Sequence, residues 1–226
     1  SGEIIVTARR REEKLQSVPV SVAAFSAAAL KRSTVQTIAD LRTITPGLTF
    51  SSEGGKDNTA VTLRGIGQIP TGEVTPGVVT YFANVPLASL GSNVPTYDIA
   101  NVQVLKGPQG TLFGRNTLGG AMLIAPQAPT NEFGGYVEGT YGNFDYKTIE
   151  GALNVPIVKD VLAIRVAGQI RRRDPMTYAI NGGNGFNNVH QDSARVSVLF
   201  TPTDWLKNTT VVDYFKAKEY GSGYYL

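Results

Sequence analysis

The second half of the chain follows a two-residue rhythm. Residues 161–171 place Leu162, Ile164, Val166 and Ile170 on one face and Ala163, Arg165, Gln169 and Arg171 on the other. Residues 193–200 set Ala194, Val196, Val198 and Phe200 against Arg195 and Ser197. Residues 148–155 set Ile149, Gly151, Leu153 and Val155 against Thr148, Glu150 and Asn154. Residues 136–141 and 209–217 alternate less strictly. Period two marks strands, because successive side chains leave a strand on opposite faces. Five strands are therefore predicted after residue 131. Segments 142–146, 157–160 and 201–204 are short connectors, whereas 173–191 is long and polar. Strands with an aliphatic face opposite an arginine-bearing one fit a transmembrane β-barrel, with short turns on the periplasmic side and the long loop outside. A soluble antiparallel sandwich shares the period and stays open as the alternative. Five strands do not close a barrel, and an open edge in lipid leaves backbone groups unpaired. On the barrel reading the chain is a piece of something longer, or other chains complete it.

Residues 1 to about 130 read as a mixed α/β region. Residues 3–7 are extended and apolar, and 18–24 form a short buried strand candidate. A helix is expected over 27–32. A second is expected over 35–43, with Ser33 and Gln36 as a capping box and Pro46-Gly47 as the stop. Short strands follow at 59–64, 78–83 and 121–125, separated by loops rich in Gly, Pro, Ser and Asn. Residues 99–105 suit a helix or a strand.

The totals remove several classes of function. The chain has 226 residues, enough for one or two domains. The net charge is only +3, and the tight basic runs are Arg9-Arg10-Arg11 and Arg171-Arg172-Arg173. Cations that do not gather on one element are no nucleic-acid footprint. The absence of cysteine rules out a disulfide scaffold, a zinc finger and a thiol nucleophile. No apolar run reaches the roughly 18 residues of a spanning helix. Arg9-Arg10-Arg11 followed by the apolar stretch 18–30 imitates a signal peptide, but Glu12, Glu13 and Pro19 argue against it. His190 is the lone histidine and is expected in a loop. With Asp192 it offers just two ligands at i, i+2. No Ser/His/Asp set is assembled by spacing, so neither a catalytic residue nor a metal or other cofactor site is expected.

The stretch "VLKGPQGTLFGRNTLGG", Val104 to Gly120, suggests a phosphate cradle at first sight. A phosphate-binding loop needs a lysine directly after its last glycine. Here Gly114 and Gly119 have the spacing, but Gly120 and Ala121 follow. The glycines are better explained by tight turns and close backbone passage.

These segments together resemble the TonB-dependent outer-membrane receptors over the whole chain. "EIIVTARR" looks like the TonB box. "VPVSVAAFSAAALKRSTVQTIADLRTITPGLTF", "VTLRGIG" and "NVQVLKGPQGTLFGRNTLGGAMLIA" resemble the plug domain, and "TPTDWL" a periplasmic barrel turn. Two places depart from the family pattern: Ala83-Asn84 stands where an Asp-Gly turn is common, and the plug ends in "MLIAPQAPT". The resemblance implies a box and tether at 1–14, a mixed α/β plug domain at 15–130, and the first strands of a large antiparallel outer-membrane β-barrel, here incomplete, at 131–226. It implies localisation in the outer membrane of a Gram-negative bacterium, facing lipid. It further implies active import of a scarce nutrient, most often an iron chelate or siderophore, with the plug gating the barrel. Cobalamin or saccharide uptake, or a signalling or adhesion receptor on the same scaffold, are the alternatives.

The implied partners are the inner-membrane energy transducer TonB, a small-molecule cargo, and the remaining barrel strands from the same or another chain. Glu3, Ile4, Ile5, Val6, Thr7 and Ala8 would pair with TonB, since a β-branched extended segment suits addition to another sheet's edge. A first strand of the plug sheet is the plainer alternative. Arg64, Lys106 and Arg115 would contact acidic residues of the barrel wall, or stand as solvated cations. Ser52, Asp57, Asn58, Gln68, Thr71, Glu73, Leu87, Ser89 and Asn93 lie in loops expected to face the ligand, or in ordinary loops.

Overall fold

Two consecutive side chains, Val104 and Leu105, are both completely buried. A strand permits this only when both faces of its sheet are covered. The computed structural model describes residues 5–6, 13–14, 20–52, 59–67, 76–88, 94–178, 183 and 185–221. The chain divides into two units, Ser1–Gln127 and Ala128–Leu226.

In the first unit β1 (Ile5–Val6) pairs antiparallel with β2 (Glu13–Lys14). Then come β3 (Ser21–Ser26), α1 (Ala27–Arg32), a 3-10 turn (Ile38–Thr43), β4 (Leu48–Ser52), β5 (Thr59–Leu63) and β6 (Val78–Phe82). β7 (Val85–Pro86), β8 (Ile99–Lys106), α2 (Gly110–Phe113) and β9 (Gly120–Pro126) complete it. The main sheet runs β3-β8-β9-β6-β7, with β6 and β9 parallel and the other neighbours antiparallel. On one side Val79, Tyr81, Leu105, Phe113, Ala121 and Leu123 form a cluster against Val20, Val22 and Ala24. Each large aliphatic side chain buried there contributes roughly 1.5–3 kcal/mol. Tyr81 adds a fixed point: its hydroxyl donates to the Phe113 carbonyl at 2.5 Å, and the two rings meet edge to face at 5.3 Å.

Local chemistry sets the helix ends. The Ser26 hydroxyl accepts from the Ala29 amide at 3.3 Å and opens α1, as an N-cap should. The second helix differs from expectation. Ser33 does not cap it but closes α1, its amide donating to the Ala29 carbonyl at 3.1 Å. Thr34 has φ +52°, which no helix tolerates. The Asp40 carboxylate accepts from the amides of Gln36 and Thr37, at 3.0 and 2.8 Å, so the start moves to Thr37 and only the 3-10 turn forms. β4 was not foreseen, and Ser52 is its last residue rather than part of a loop. Residues 99–105 resolve as strand β8, held between β3 and β9. At the β6–β7 turn Ala83 and Asn84 both have positive φ, 48° and 68°. This is the two-residue hairpin geometry that Asn accepts readily and Ala does not.

The second unit is one antiparallel sheet in chain order: β10 (Gly134–Gly142), β11 (Tyr146–Val158), β12 (Leu162–Arg173), β13 (Val189–Thr203) and β14 (Leu206–Ala217). All five predicted strands are present and extend beyond the alternating cores. His190 is a correction: it lies in β13, not in a loop, because the ladder continues from Gln191 to a pairing of His190 with Arg172. The faces are inverted relative to a soluble sheet. Ile149 and Val212 are 63% and 61% exposed, whereas Asn154 and Arg195 are 2% and 1% exposed. On the aliphatic face Leu162, Ile164, Val166, Gly168 and Ile170 follow one another along β12. Eight steps of about 3.3 Å, from Leu162 to Ile170, give roughly 26 Å along the strand, or about 20 Å of height at a 40° tilt. That is close to the apolar band of an outer-membrane barrel, about 25 Å. A water-soluble sandwich would place these aliphatics inside, so the open alternative resolves in favour of barrel strands.

The glycines of the 104–120 stretch serve the backbone. Gly120 has φ +145°, and a Cβ there would meet the Leu105 carbonyl oxygen at 2.1 Å and Leu63 Cδ2 at 2.8 Å. Gly119 sits equally close to Ile66, at 2.9 Å. Gly120→Ala should therefore part β8 from β9 and destabilise the first unit by about 3 kcal/mol or more. Limited proteolysis of the purified whole receptor checks this: cleavage within 20–126 should accelerate while the barrel stays intact. A substitution without effect would show that the close approach is not required.

Candidate functional site

Of the six residues expected to meet TonB, Ile5 and Val6 form β1, and Glu3, Ile4, Thr7 and Ala8 lie outside the described residues. β1 is extended, and its partner is the tether itself, with Ile5 opposite Lys14 and Val6 opposite Glu13. Two paired residues make a weak ladder, since isolated two-stranded pairs are marginal in water.

Arg64 occupies a tight turn. It has φ +53° beside Gly65 at +80°, and Leu63 and Ile66 exchange backbone bonds of 2.9 and 3.0 Å across it. The Arg64 amide donates to the Gly47 carbonyl at 2.8 Å, and its side chain is exposed. A left-handed position usually selects Gly or Asn. Lys106 is half-buried at the end of β8, and its Nζ approaches the Pro46 carbonyl at 3.4 Å. Arg115 is exposed in the loop after α2. Among the residues expected to face the ligand, Ser52 closes β4, and Leu87 is half-buried after β7, its amide donating to the Thr80 carbonyl at 2.8 Å. Asp57, Asn58, Gln68, Thr71, Glu73, Ser89 and Asn93 lie outside the described residues.

The inward face of the second sheet is a polar ladder that sequence reasoning saw as a pattern but not as pairs. Gln169 Nε2 donates to Glu150 Oε2 at 2.6 Å, and Arg171 donates to the Gln191 side-chain oxygen at 3.3 Å. Arg195 Nε reaches Asp213 Oδ1 at 2.7 Å, with Arg195 buried and Asp213 partly open. Asn154 was placed on the polar face by its alternation, but not seen as a pin for its neighbours. Its carboxamide accepts from the Thr130 amide at 3.0 Å and donates to the carbonyls of Thr130 and Glu132 at 2.9 and 2.6 Å. It thereby pins the segment that leads into β10. The one available signal was an Asn on the arginine-bearing face of a predicted strand. Among the described residues no three His, Cys, Asp or Glu side chains gather as a metal site would require.

Residues 14–121 match the TonB-dependent Receptor Plug Domain family. The pesticin receptor of Yersinia pestis is 27% identical over 204 residues, covering 89% of this chain and 30% of that protein. The vitamin B12 transporter BtuB of Vibrio vulnificus is 29% identical over 147 residues, covering 65% of this chain and 24% of that protein. Among solved structures, the ferric yersiniabactin uptake receptor FyuA from Yersinia pestis superposes with a TM-score of 0.75 at 27% identity. That match covers 82% of this chain and 29% of FyuA. The pyoverdine outer membrane receptor FpvA from Pseudomonas aeruginosa gives 0.77 at 18% identity, covering 93% of this chain and 30% of FpvA, a likeness of fold. The chain thus spans less than a third of the length of each of these relatives.

The Arg195–Asp213 pair gives a direct test of the inward ladder. Asp213→Asn removes a carboxylate held directly against a buried guanidinium and should destabilise the sheet by about 3 kcal/mol. Replacing both, as Arg195→Met with Asp213→Leu, should recover most of that loss. The temperature at which the folded receptor loses its compact electrophoretic mobility in detergent reads both effects.

Proposed function

The chain belongs to the TonB-dependent outer-membrane receptors, and on that footing we propose that the whole protein imports a scarce small-molecule nutrient, energised by TonB. It resides in the outer membrane of a Gram-negative bacterium. The observation that carries the proposal is the joining, in one chain, of a plug-family segment to a sheet whose aliphatic face is turned outward. An iron chelate is the favoured cargo, since the pesticin receptor and FyuA give the wider coverage, and the latter takes up ferric yersiniabactin. Cobalamin is the second reading, supported by the likeness to BtuB.

In this account residues 1–14 are the box and tether, 15–130 the plug that gates the barrel, and 131–226 the first barrel strands. Glu3 to Ala8 offer their backbone to TonB by strand addition. Main-chain hydrogen bonds supply the grip, and a pull along the strand transmits force to the plug. The short β1–β2 ladder supports this role, because two residue pairs are cheap to part when a longer edge competes. Arg64, Lys106 and Arg115 are proposed to hold the plug to acidic side chains of the barrel wall. The left-handed backbone at exposed Arg64 supports that placement, since strain of this kind persists where a side chain is wanted. The loops carrying Ser52, Asp57, Asn58, Gln68, Thr71, Glu73, Leu87, Ser89 and Asn93 are proposed to face the cargo.

Proline at Ile5 or Val6 removes an amide donor and blocks pairing on that edge. Cells carrying either variant should bind radioiron-loaded chelates, ferric yersiniabactin among them, as the parent does, yet accumulate none. Loss of binding together with uptake would sink the assignment of this segment. Cobalamin uptake without any iron uptake would select the second reading.

A further inference from the structure

The pairing of the second sheet does not stop where its strands end. At the end that carries the long connection, β12 and β13 pair last at Arg173 and Val189. Arg173 Nη2 then donates to the Asn187 carbonyl at 2.6 Å. Further out the two segments pair again, Thr177 with Phe186. The Met176 amide donates to the Phe186 carbonyl at 3.1 Å, and the Phe186 amide to the Thr177 carbonyl at 2.7 Å. Gly185 closes the gap between them. A Cβ there would meet Pro175 Cβ at 2.3 Å, so the backbone lies directly on the proline ring. The connection from β12 to β13 therefore leaves the sheet as a paired stem.

The stem is fastened on both sides. Toward β11 the Asp174 amide donates to the Phe144 carbonyl at 2.8 Å. Phe144 and Asp145 have φ +59° and +50°. A bulky side chain in the left-handed region is an outlier, and it persists where its surroundings over-determine it. The bond from Asp174 is one such constraint. Toward β14 the Lys218 amide donates to the His190 carbonyl at 2.9 Å, and the Asn187 amide to the Gly221 carbonyl at 3.2 Å. The Tyr220 amide donates to Asn188 Oδ1 at 2.7 Å, and the His190 amide to Glu219 Oε1 at 3.2 Å. Three successive connections thus satisfy one another's backbone groups. Loops that open independently leave such groups to water.

We propose that the 143–145 turn, the 174–177 and 185–188 stem, and the 218–221 segment form one interlocked unit that opens cooperatively, with the stem as its coupling piece. A movement at this end of the sheet carries all three together. A disturbance of one connection reaches the others through Asp174 on one side and Asn188 on the other. The proposal concerns this sheet alone and rests neither on the cargo nor on TonB.

Hydrogen exchange of the whole receptor in neutral detergent, without cargo and at single-residue resolution, reads the coupling. Amides that open together lose protection together. Asn188→Ala removes the acceptor of the Tyr220 amide, on the β14 side of the stem. It should speed exchange at Tyr220 by about fivefold, the usual effect of one lost hydrogen bond. The Asp174 amide, on the far side of the stem, should accelerate by a similar factor. Asn188→Asp keeps an accepting oxygen and should leave both amides at the parent rate. Gly185→Ala parts the stem from within and should speed Asp174 and Tyr220 alike. Should one variant fail to fold, as read by compact electrophoretic mobility in detergent, the other serves alone. Acceleration confined to one side of the stem, or absent from both, overturns the proposal.

Discussion

A sheet that turns its aliphatic face outward depends on one constraint: every backbone N–H and C=O in the lipid layer must find a partner within the protein. Nothing in hydrocarbon can replace a neighbouring strand. Among the described residues, β11, β12 and β13 meet this condition on both edges, while β10 and β14 are each paired within this sheet on one edge only. The features of the second unit follow from the same demand. The strands are long, reaching fifteen residues in β13, because the ladder must persist across the whole apolar layer. The turns at one end are short, because the chain must re-enter the ladder at once. The inner face can be polar, because the outer face alone answers to lipid.

The polar inner face brings its own requirement. A buried guanidinium or carboxamide is tolerated only when its donors and acceptors are met. Asn154 with the 130–132 backbone answers that requirement most fully, while Asp213 meets Arg195 through Nε and Glu150 meets Gln169 through Nε2. They also fix register. A slip of one residue would carry the arginines into the aliphatic belt and the valines inward, so the faces and the pairs enforce each other.

How much of this could be read from the sequence depends on the range of the interaction concerned. Strand existence in the second unit was legible, because period two is a local property and the belt imposes it strictly. Strand ends were not, because His190 and Arg173 join the ladder through a partner strand and not through their own pattern. In the first unit α1 was legible from Ser26 onward. The next helix failed because one carboxylate, Asp40, collects the amides that a start at Ser33 would have needed. β4 was missed for a similar reason: its strand character comes from pairing with β5. Arg64, Lys106 and Arg115 were legible as isolated cations in glycine-rich segments, but the left-handed turn at Arg64 was not.

The cations at one end of the second sheet illustrate the general point most sharply. In sequence Lys147, Arg172, His190 and Lys218 are scattered, and Arg171-Arg172-Arg173 reads as one basic cluster. The strand divides that cluster, sending Arg171 to the buried inner face and Arg172 to the outer rim. Antiparallel pairing then gathers residues from three further turns and strands into one line across the sheet. Surface chemistry on a barrel is set by cross-strand register, and register is fixed by the aliphatic belt. The same hydrophobic pattern that commits these strands to lipid therefore also decides which charges share one row at the end of the belt.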